Sequence, residues 1–176
     1  CRNGCAGLIS FGYAGALNSL YKSGELVIGH SVSNGCDTLS TSSSWLTEFI
    51  ELVEQETDFV AHNTSFLTSS TPLTSTAQKS AQALKGKWGA VDMESYAIAE
   101  VAEEYSRPII IVRAILDELD TIIPEGSPRI VDSKGRHKIL SAFYELLNKP
   151  SDFAKYLYLA KARTRADITL SRVAAL

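Results

Sequence analysis

The sequence is poor in the residues that build metal centres and disulfide frameworks. Its three cysteines, Cys1, Cys5 and Cys36, make an odd count with no framework spacing, and are expected to be reduced and structural. The histidines, His30, His62 and His137, stand far from the cysteines and from one another, which excludes a zinc-type ligand pattern. No apolar run reaches the roughly 18 residues of a membrane span. No signal peptide is found, so the default expectation is a cytoplasmic protein. Methionine occurs once, at Met93, and the chain opens on Cys1. The expectation is a start partway into a longer reading frame, or processing.

What is present is a globular composition: 45% hydrophobic and 21% charged over 176 residues, enough for one domain with a sizeable core. Charge is uneven. Residues 1–133 carry 8 Lys and Arg against 17 Asp and Glu, net −9, whereas residues 134–176 carry 9 against 3, net +6. Such a tail either packs on the acidic body or meets something acidic, such as a phospholipid surface.

Strand and helix patterns alternate, which points to an α/β layered fold. Ala6–Gly12 reads as a buried strand ending at glycine, followed by a loop of small residues, and Glu25–Ser33 as a second strand. A Ser/Thr-rich loop leads to a helix over Trp45–Gln55, and Phe59–Leu67 is strand-like. Ser75-Thr76-Ala77-Gln78 fits a capping box, with Ala77, Ala81 and Leu84 as the expected apolar stripe and Gly86 as the stop. "AVDME" reads as a short strand, and Ile98, Val101, Ala102 and Tyr105 mark the next helix. The β-branched run "IIIVRAIL" after Pro108 suits a parallel strand buried on both faces. From about Gly135 the tail reads as two helical pieces broken at Pro150. The expected organisation is an α/β body over residues 1–134 with a helical extension of the same domain over 135–176.

Three clusters could carry chemistry. On a strand, Asp92 and Glu94 would share a face, with Met93 on the other. A carboxylate there could accept from two adjacent sugar hydroxyls, or cap the helix that begins at Ser95; spacing leaves both open. Asp117 closes the "IIIVRAIL" run, at the carboxyl end of a strand where ligands bind in open α/β sheets. It fits a ligand contact or proton donor, and equally a turn or capping aspartate. Arg113 inside the run requires an ion-pair partner, for which Asp92, Glu94 and Asp117 are candidates. "SFGYAGAL" offers small residues whose backbone N–H groups could cradle an anion, but its Gly12-x-x-Gly15 spacing is not a dinucleotide fingerprint.

In order, "SFGYAGAL", "SGELVIG", "VDMESYAIAEVA" and "IIIVRAILDELD" resemble the motifs of the nucleoside phosphorylase/nucleosidase superfamily over about residues 6–120. The "VDMES" variant and "DSKGRHKILSAFYELLNKPSDFAKYLYLAKARTRA" resemble the hopanoid-biosynthesis-associated phosphorylase-like proteins, the adenosylhopane nucleosidases. The resemblance implies a three-layer α/β/α fold around a central mixed sheet, phosphorylase/hydrolase-like, with a helical C-terminal tail. It also implies that the family's N-terminal strand and loop, which contribute to the phosphate or water site, precede Cys1, so that activity is expected of the full-length protein.

The implied reaction is cleavage of the N-glycosidic bond of a purine (adenine) nucleoside, adenosylhopane above all, by attack of phosphate or water. The implied roles are Asp117 as catalytic proton donor to the purine, Glu94 on the ribose hydroxyls, Met93 against the sugar and Leu73 beside the base. Gly12, Ala14 and Gly15 would line the phosphate or water site. The resemblance implies no metal or organic cofactor, no nucleic-acid partner and a homo-oligomer. With the basic tail, it suggests peripheral contact with the inner membrane. Two departures stand out: Ala16 where glycine is usual, and Leu116 where a small serine is usual. The competing expectations are a methylthioadenosine/S-adenosylhomocysteine nucleosidase and a non-catalytic nucleoside-binding remnant.

Overall fold

A computed structural model describes residues 4–123 and 153–176. Among the described residues, six strands and four helices follow in order as β1 (Leu8–Ala16), β2 (Leu26–Ser33), β3 (Thr38–Ser40), α1 (Ser43–Glu56), β4 (Ala61–Thr68), α2 (Thr76–Lys85), β5 (Ala90–Asp92), α3 (Ser95–Glu104), β6 (Ile109–Asp117) and α4 (Phe153–Val173). The expected α/β fold with a central mixed sheet is present. The sheet runs β3-β2-β4-β5-β1-β6, and β6 also pairs antiparallel with β2, so the strands close into a ring. Closure is possible because one edge of β2 is divided. Leu26–Gly29 meet β6 and Ser31–Ser33 meet β3, with a register shift between Gly29 and Ser31.

Both faces of the sheet are covered. On one, Tyr96, Ala99 and Ala102 of α3 pack on Val27, Val32, Phe66, Ile109, Ile111 and Ile115. On the other, Leu46 and Val53 of α1 and Val173 of α4 pack on Leu26, Ile28, Ile110 and Val112. Ala166 and Leu170 of α4 cover Ala114. The nearly continuous apolar character of β6, interrupted by Arg113, is the consequence: every residue from Ile109 to Ile115 is buried, because helices stand on both sides.

Several sequence expectations need correction. β1 does not stop at Gly12 but continues to Ala16, since Tyr13 and Ala14 remain in register with β6, Gly15 pairs with Asp117 after a register shift, and Gly15 and Ala16 reach β5. The Ser/Thr-rich loop contains β3. The strand read as "AVDME" ends at Asp92, so Glu94 is not in the strand but at the N-cap of α3. The capping box of α2 forms as expected, Ser75 accepting from the Gln78 amide and Gln78 Oε1 accepting from the Ser75 amide. The stripe assigned to that helix faces solvent instead: Ala77 and Ala81 are exposed and Leu84 is 88% exposed. The fully buried residue of α2 is Lys79, with Ala83 one turn on packing toward Leu17, Leu67 and Val91. In α3, Val101 and Tyr105 are also more exposed than expected, and Tyr96 and Ala99 supply the packing.

The first tail helix expected, around Ile139 to Leu147, lies outside the described residues, as does the boundary at residue 134. α4 is docked to the body. Thr169 Oγ1 donates to Gly24 O at 2.6 Å, Arg165 Nη1 to Ser23 Oγ at 3.3 Å, and Tyr158 to Glu118 at 3.0 Å. Arg163 lies over the Tyr13 ring and Arg172 over Phe59, so part of the basic charge of the tail is directed at the body. Among the described residues no helix is long and apolar enough to cross a membrane.

Candidate active site

A cleft of about 620 Å³ opens where β1, β5 and β6 end. Gly12, Ala14, Gly15, Leu73, Met93, Glu94 and Asp117, all the expected site residues, line it together. Its remaining walls are mostly apolar, formed by Phe11, Pro72, Ile98, Leu116 and Ile123.

The two acids around Met93 have separate positions. Asp92 is buried at the last position of β5. Its Oδ1 accepts from Thr68 Oγ1 at 2.8 Å and from the Ser95 and Glu94 amides at 3.2 and 3.3 Å, so Asp92 caps α3. Its Oδ2 accepts from Arg113 Nε at 3.0 Å and lies 3.0 Å from Nη2. Arg113 Nη2 also donates to Ser10 Oγ at 2.8 Å and Ser95 Oγ at 2.9 Å. The charge expected to need a partner has therefore found Asp92, inside a hydrogen-bonded network. Glu94 makes no side-chain cap, and its side chain is 68% exposed, 3.8 Å from Arg113 Nη2 at the cleft. One acid is committed to the fold and the other remains open to a ligand.

Asp117 is the third acid, and it does not pair with Arg113. Its carboxylate forms an ion pair with Lys79, whose side chain is fully buried. Lys79 Nζ also donates to Glu118 O at 2.5 Å and Thr121 O at 3.3 Å, tying α2 to the turn after β6. Burial pushes the Asp117 carboxyl above its ordinary value, and Lys79 opposes that shift without cancelling it. The next residue, Glu118, is itself pushed up by burial, but Lys22, the Ser23 amide and Tyr158 together bring it below its ordinary value.

The glycines of β1 make room for these side chains. A Cβ at Gly12 would stand 3.0 Å from Arg113 Nη1, and one at Gly15 would stand 3.0 and 3.2 Å from the Asp117 oxygens. In β1, then, glycine serves close approach of functional side chains within a strand; the expected anion loop is strand backbone here. Leu73 reaches the cleft because the segment before α2 is fastened to the turn after β6, Ile123 N donating to Thr74 O at 2.8 Å and Thr76 Oγ1 to Asp120 O at 3.2 Å.

Lys79 is the residue that sequence reasoning missed. The available signal was the weakness of the α2 stripe, which consisted of two alanines and one leucine. Discounting it would have left Lys79 and Ala83, four apart, as the packed face. Cys5 and Cys36 are free, and no cluster of three or more His, Cys, Asp or Glu suited to a metal occurs among the described residues.

The arrangement places an exposed carboxylate and a buried carboxyl, raised above its ordinary value by burial, in one apolar cleft. Such a pair can grip a diol and donate a proton.

The family described as the phosphorylase superfamily matches residues 1–138. No curated protein sequence matches significantly. Among solved structures, the 5'-methylthioadenosine/S-adenosylhomocysteine nucleosidase of Helicobacter pylori in complex with butyl-thio-DADMe-Immucillin-A is similar, with TM-score 0.66 and 18% identity, over 99% of this chain and 71% of that one. The futalosine hydrolase of Helicobacter pylori strain 26695 is similar with TM-score 0.66 and 17% identity, over 99% and 70%. At these identities the likeness is one of fold.

Proposed function

This chain belongs to the phosphorylase superfamily and is an enzyme of the nucleoside phosphorylase/nucleosidase type, and from that premise we propose that it cleaves the N-glycosidic bond of an adenine nucleoside whose 5' substituent is apolar. The observation that carries this reading is the placement of Glu94 and Asp117 in one cleft with apolar walls. In the proposed mechanism, Glu94 accepts from the two ribose hydroxyls and Met93 packs on the sugar. As the bond breaks, positive charge builds on the ribose and negative charge on the base. Asp117, whose burial favours its protonated form at higher pH than usual, donates to the purine nitrogen. Gly12, Ala14 and Gly15 border the side from which phosphate or water attacks, and Leu73 flanks the base.

Two substrates fit this description. Adenosylhopane is favoured by the "VDMES" and tail resemblance. 5'-Methylthioadenosine is favoured at least as well by the solved 5'-methylthioadenosine/S-adenosylhomocysteine nucleosidases that share the fold. The half-exposed Met93 and Phe11 at the cleft give either apolar substituent a surface to lie on. Association with a membrane through the tail, and a homo-oligomeric state, belong to the same proposal.

The test is release of adenine from adenosylhopane and from 5'-methylthioadenosine by the purified protein, with and without phosphate. Release from one substrate and not the other chooses between them, and dependence on phosphate identifies the nucleophile. No adenine from either would overturn the reading.

A further inference from the structure

Lys79 is a lysine with no exposed side-chain surface, placed on a helix whose Leu84 is left 88% exposed. A buried ammonium is costly unless it is paired and hydrogen-bonded. Here its partners are the Asp117 carboxyl, which lines the cleft, and the Glu118 and Thr121 carbonyls of the turn after β6. Among the described residues, the other charged groups nearby are engaged elsewhere. Arg113, on the same strand as Asp117, is held by Asp92 with Glu94 beyond it, and Glu118 is turned to Lys22 and Tyr158. Lys79 is thus the cation in contact with Asp117. Gly15, which would crowd both Asp117 oxygens if it carried a Cβ, leaves the opposite side of the carboxyl open to the cleft.

We propose that Lys79 is a positioning residue for departure of the base: it fixes the Asp117 carboxyl at the inner end of the cleft and receives the negative charge left there when the proton moves to the purine. The inference rests on the glycosidic-cleavage reading and adds the group that makes the acid effective. In the step, the C1'–N electron pair goes to the purine, an oxygen of the attacking phosphate, or of water that gives a proton to solvent, bonds to C1', the Asp117 proton goes to a purine nitrogen, and Asp117 becomes a carboxylate. Lys79 keeps its three protons throughout. Before the step the pair carries the lysine's positive charge, and after it the pair is neutral, so no uncompensated anion is left in a buried place. Without the cation, the buried acid would be a weaker one, because the carboxylate product would have no partner.

The sign of the effect distinguishes this role from simple support. Activity that needs protonated Asp117 falls as pH rises through the raised Asp117 value. Removing the charge in Lys79→Met deletes the opposing influence, so the alkaline limb of kcat against pH moves to higher pH while the plateau rate drops. A lysine that merely propped up the fold would, when removed, let water reach Asp117 and move the limb down.

The experiment measures kcat across pH for wild type, Lys79→Met, Lys79→Gln and Lys79→Arg, with melting temperatures to confirm folding. Glutamine retains an N–H donor for the carbonyls without the charge, and arginine retains the charge. Each is assayed on the purine nucleoside that wild type cleaves and on 4-nitrophenyl β-D-ribofuranoside, whose leaving group needs no proton. The expected result for Met and Gln is a loss of about 10–100-fold on the purine nucleoside, a limb shifted upward, and near wild-type release of nitrophenolate. Arginine is expected to keep the wild-type limb. Equal losses on both substrates, or a limb unmoved or moved down, would overturn the proposal while leaving the glycosidic-cleavage reading intact. A wild type that cleaves neither compound would overturn both.

Discussion

Replacing Asp92 by alanine tests the division of labour between the two acids around Met93. Asp92 is 5% exposed and holds Arg113, itself 2% exposed, through two guanidinium nitrogens. Truncation leaves the guanidinium with two serine hydroxyls and, at 3.8 Å, the exposed Glu94. Removing one partner of a buried pair typically costs about 3–5 kcal/mol, because the other charge stays buried without compensation. The same change also strips the cap from α3, whose first amides bond to Asp92 Oδ1; a lost cap costs about 1 kcal/mol and overlaps with the first effect. For a domain of this size, each kcal/mol moves the melting temperature by about 2–4 °C, so Asp92→Ala is expected to lower Tm by about 6–20 °C. Glu94→Ala, at a side chain 68% exposed, is expected to stay within about 0.5 kcal/mol of wild type. Urea unfolding followed by circular dichroism reads both variants on one scale. If Glu94→Ala were the more destabilised of the two, or if Asp92→Ala melted with wild type, the assignment of Asp92 to the fold and Glu94 to the ligand would be wrong.

Gly15→Ala is expected to displace the Asp117 carboxyl by crowding both its oxygens; a 1 Å displacement of a catalytic group can cost about 10²-fold in kcat, visible in the adenine-release assay with little change in Tm. Ser106 ends α3 with φ of 50° in a turn where its amide bonds to Glu103 O and the Arg107 amide to Ala102 O, so Ser106→Gly is expected to stabilise by about 0.5–1 kcal/mol in the same urea titration. Glu118, with its value lowered in the folded state, contributes stability that is full above the ordinary glutamate value and lost as pH falls through the lowered one. Tm of wild type minus that of Glu118→Gln should therefore shrink on acidification through that window, and a difference that grows would refute the stated contacts. Leu84→Lys, at a site 88% exposed, is expected to leave Tm within about 2 °C, whereas a large loss would restore the stripe first read for α2.

The parts of this molecule legible in the sequence are those set by local rules. The capping box at Ser75 needs four residues in a row, and the two-sided burial of β6 is announced by its β-branched run. The candidate site residues came by another route, the order of four motifs, and they line one cleft. What the sequence did not display is which side chain meets which across the sheet. Arg113 had three candidate acids, and the choice of Asp92 depends on β5 ending beside it and on Ser10 from β1 and Ser95 from α3 filling the remaining donors. Lys79 was hidden for a related reason. A lysine is ordinarily read as solvent-facing, and its burial follows from a carboxyl and two carbonyls supplied by residues 117 to 121, some forty positions away in the chain. The extension of β1 past Gly12 was missed because small residues read as a loop, whereas they are small so that Arg113 and Asp117 can approach.

In the proposed mechanism Asp117 gives the departing base its proton. Single-turnover adenine release at neutral pH by wild type and Asp117→Asn, each saturated with the preferred nucleoside, measures that role. The mechanism requires release slowed by about 10²–10⁴-fold in the variant, with binding of the nucleoside retained. Release at the wild-type rate from Asp117→Asn would contradict it.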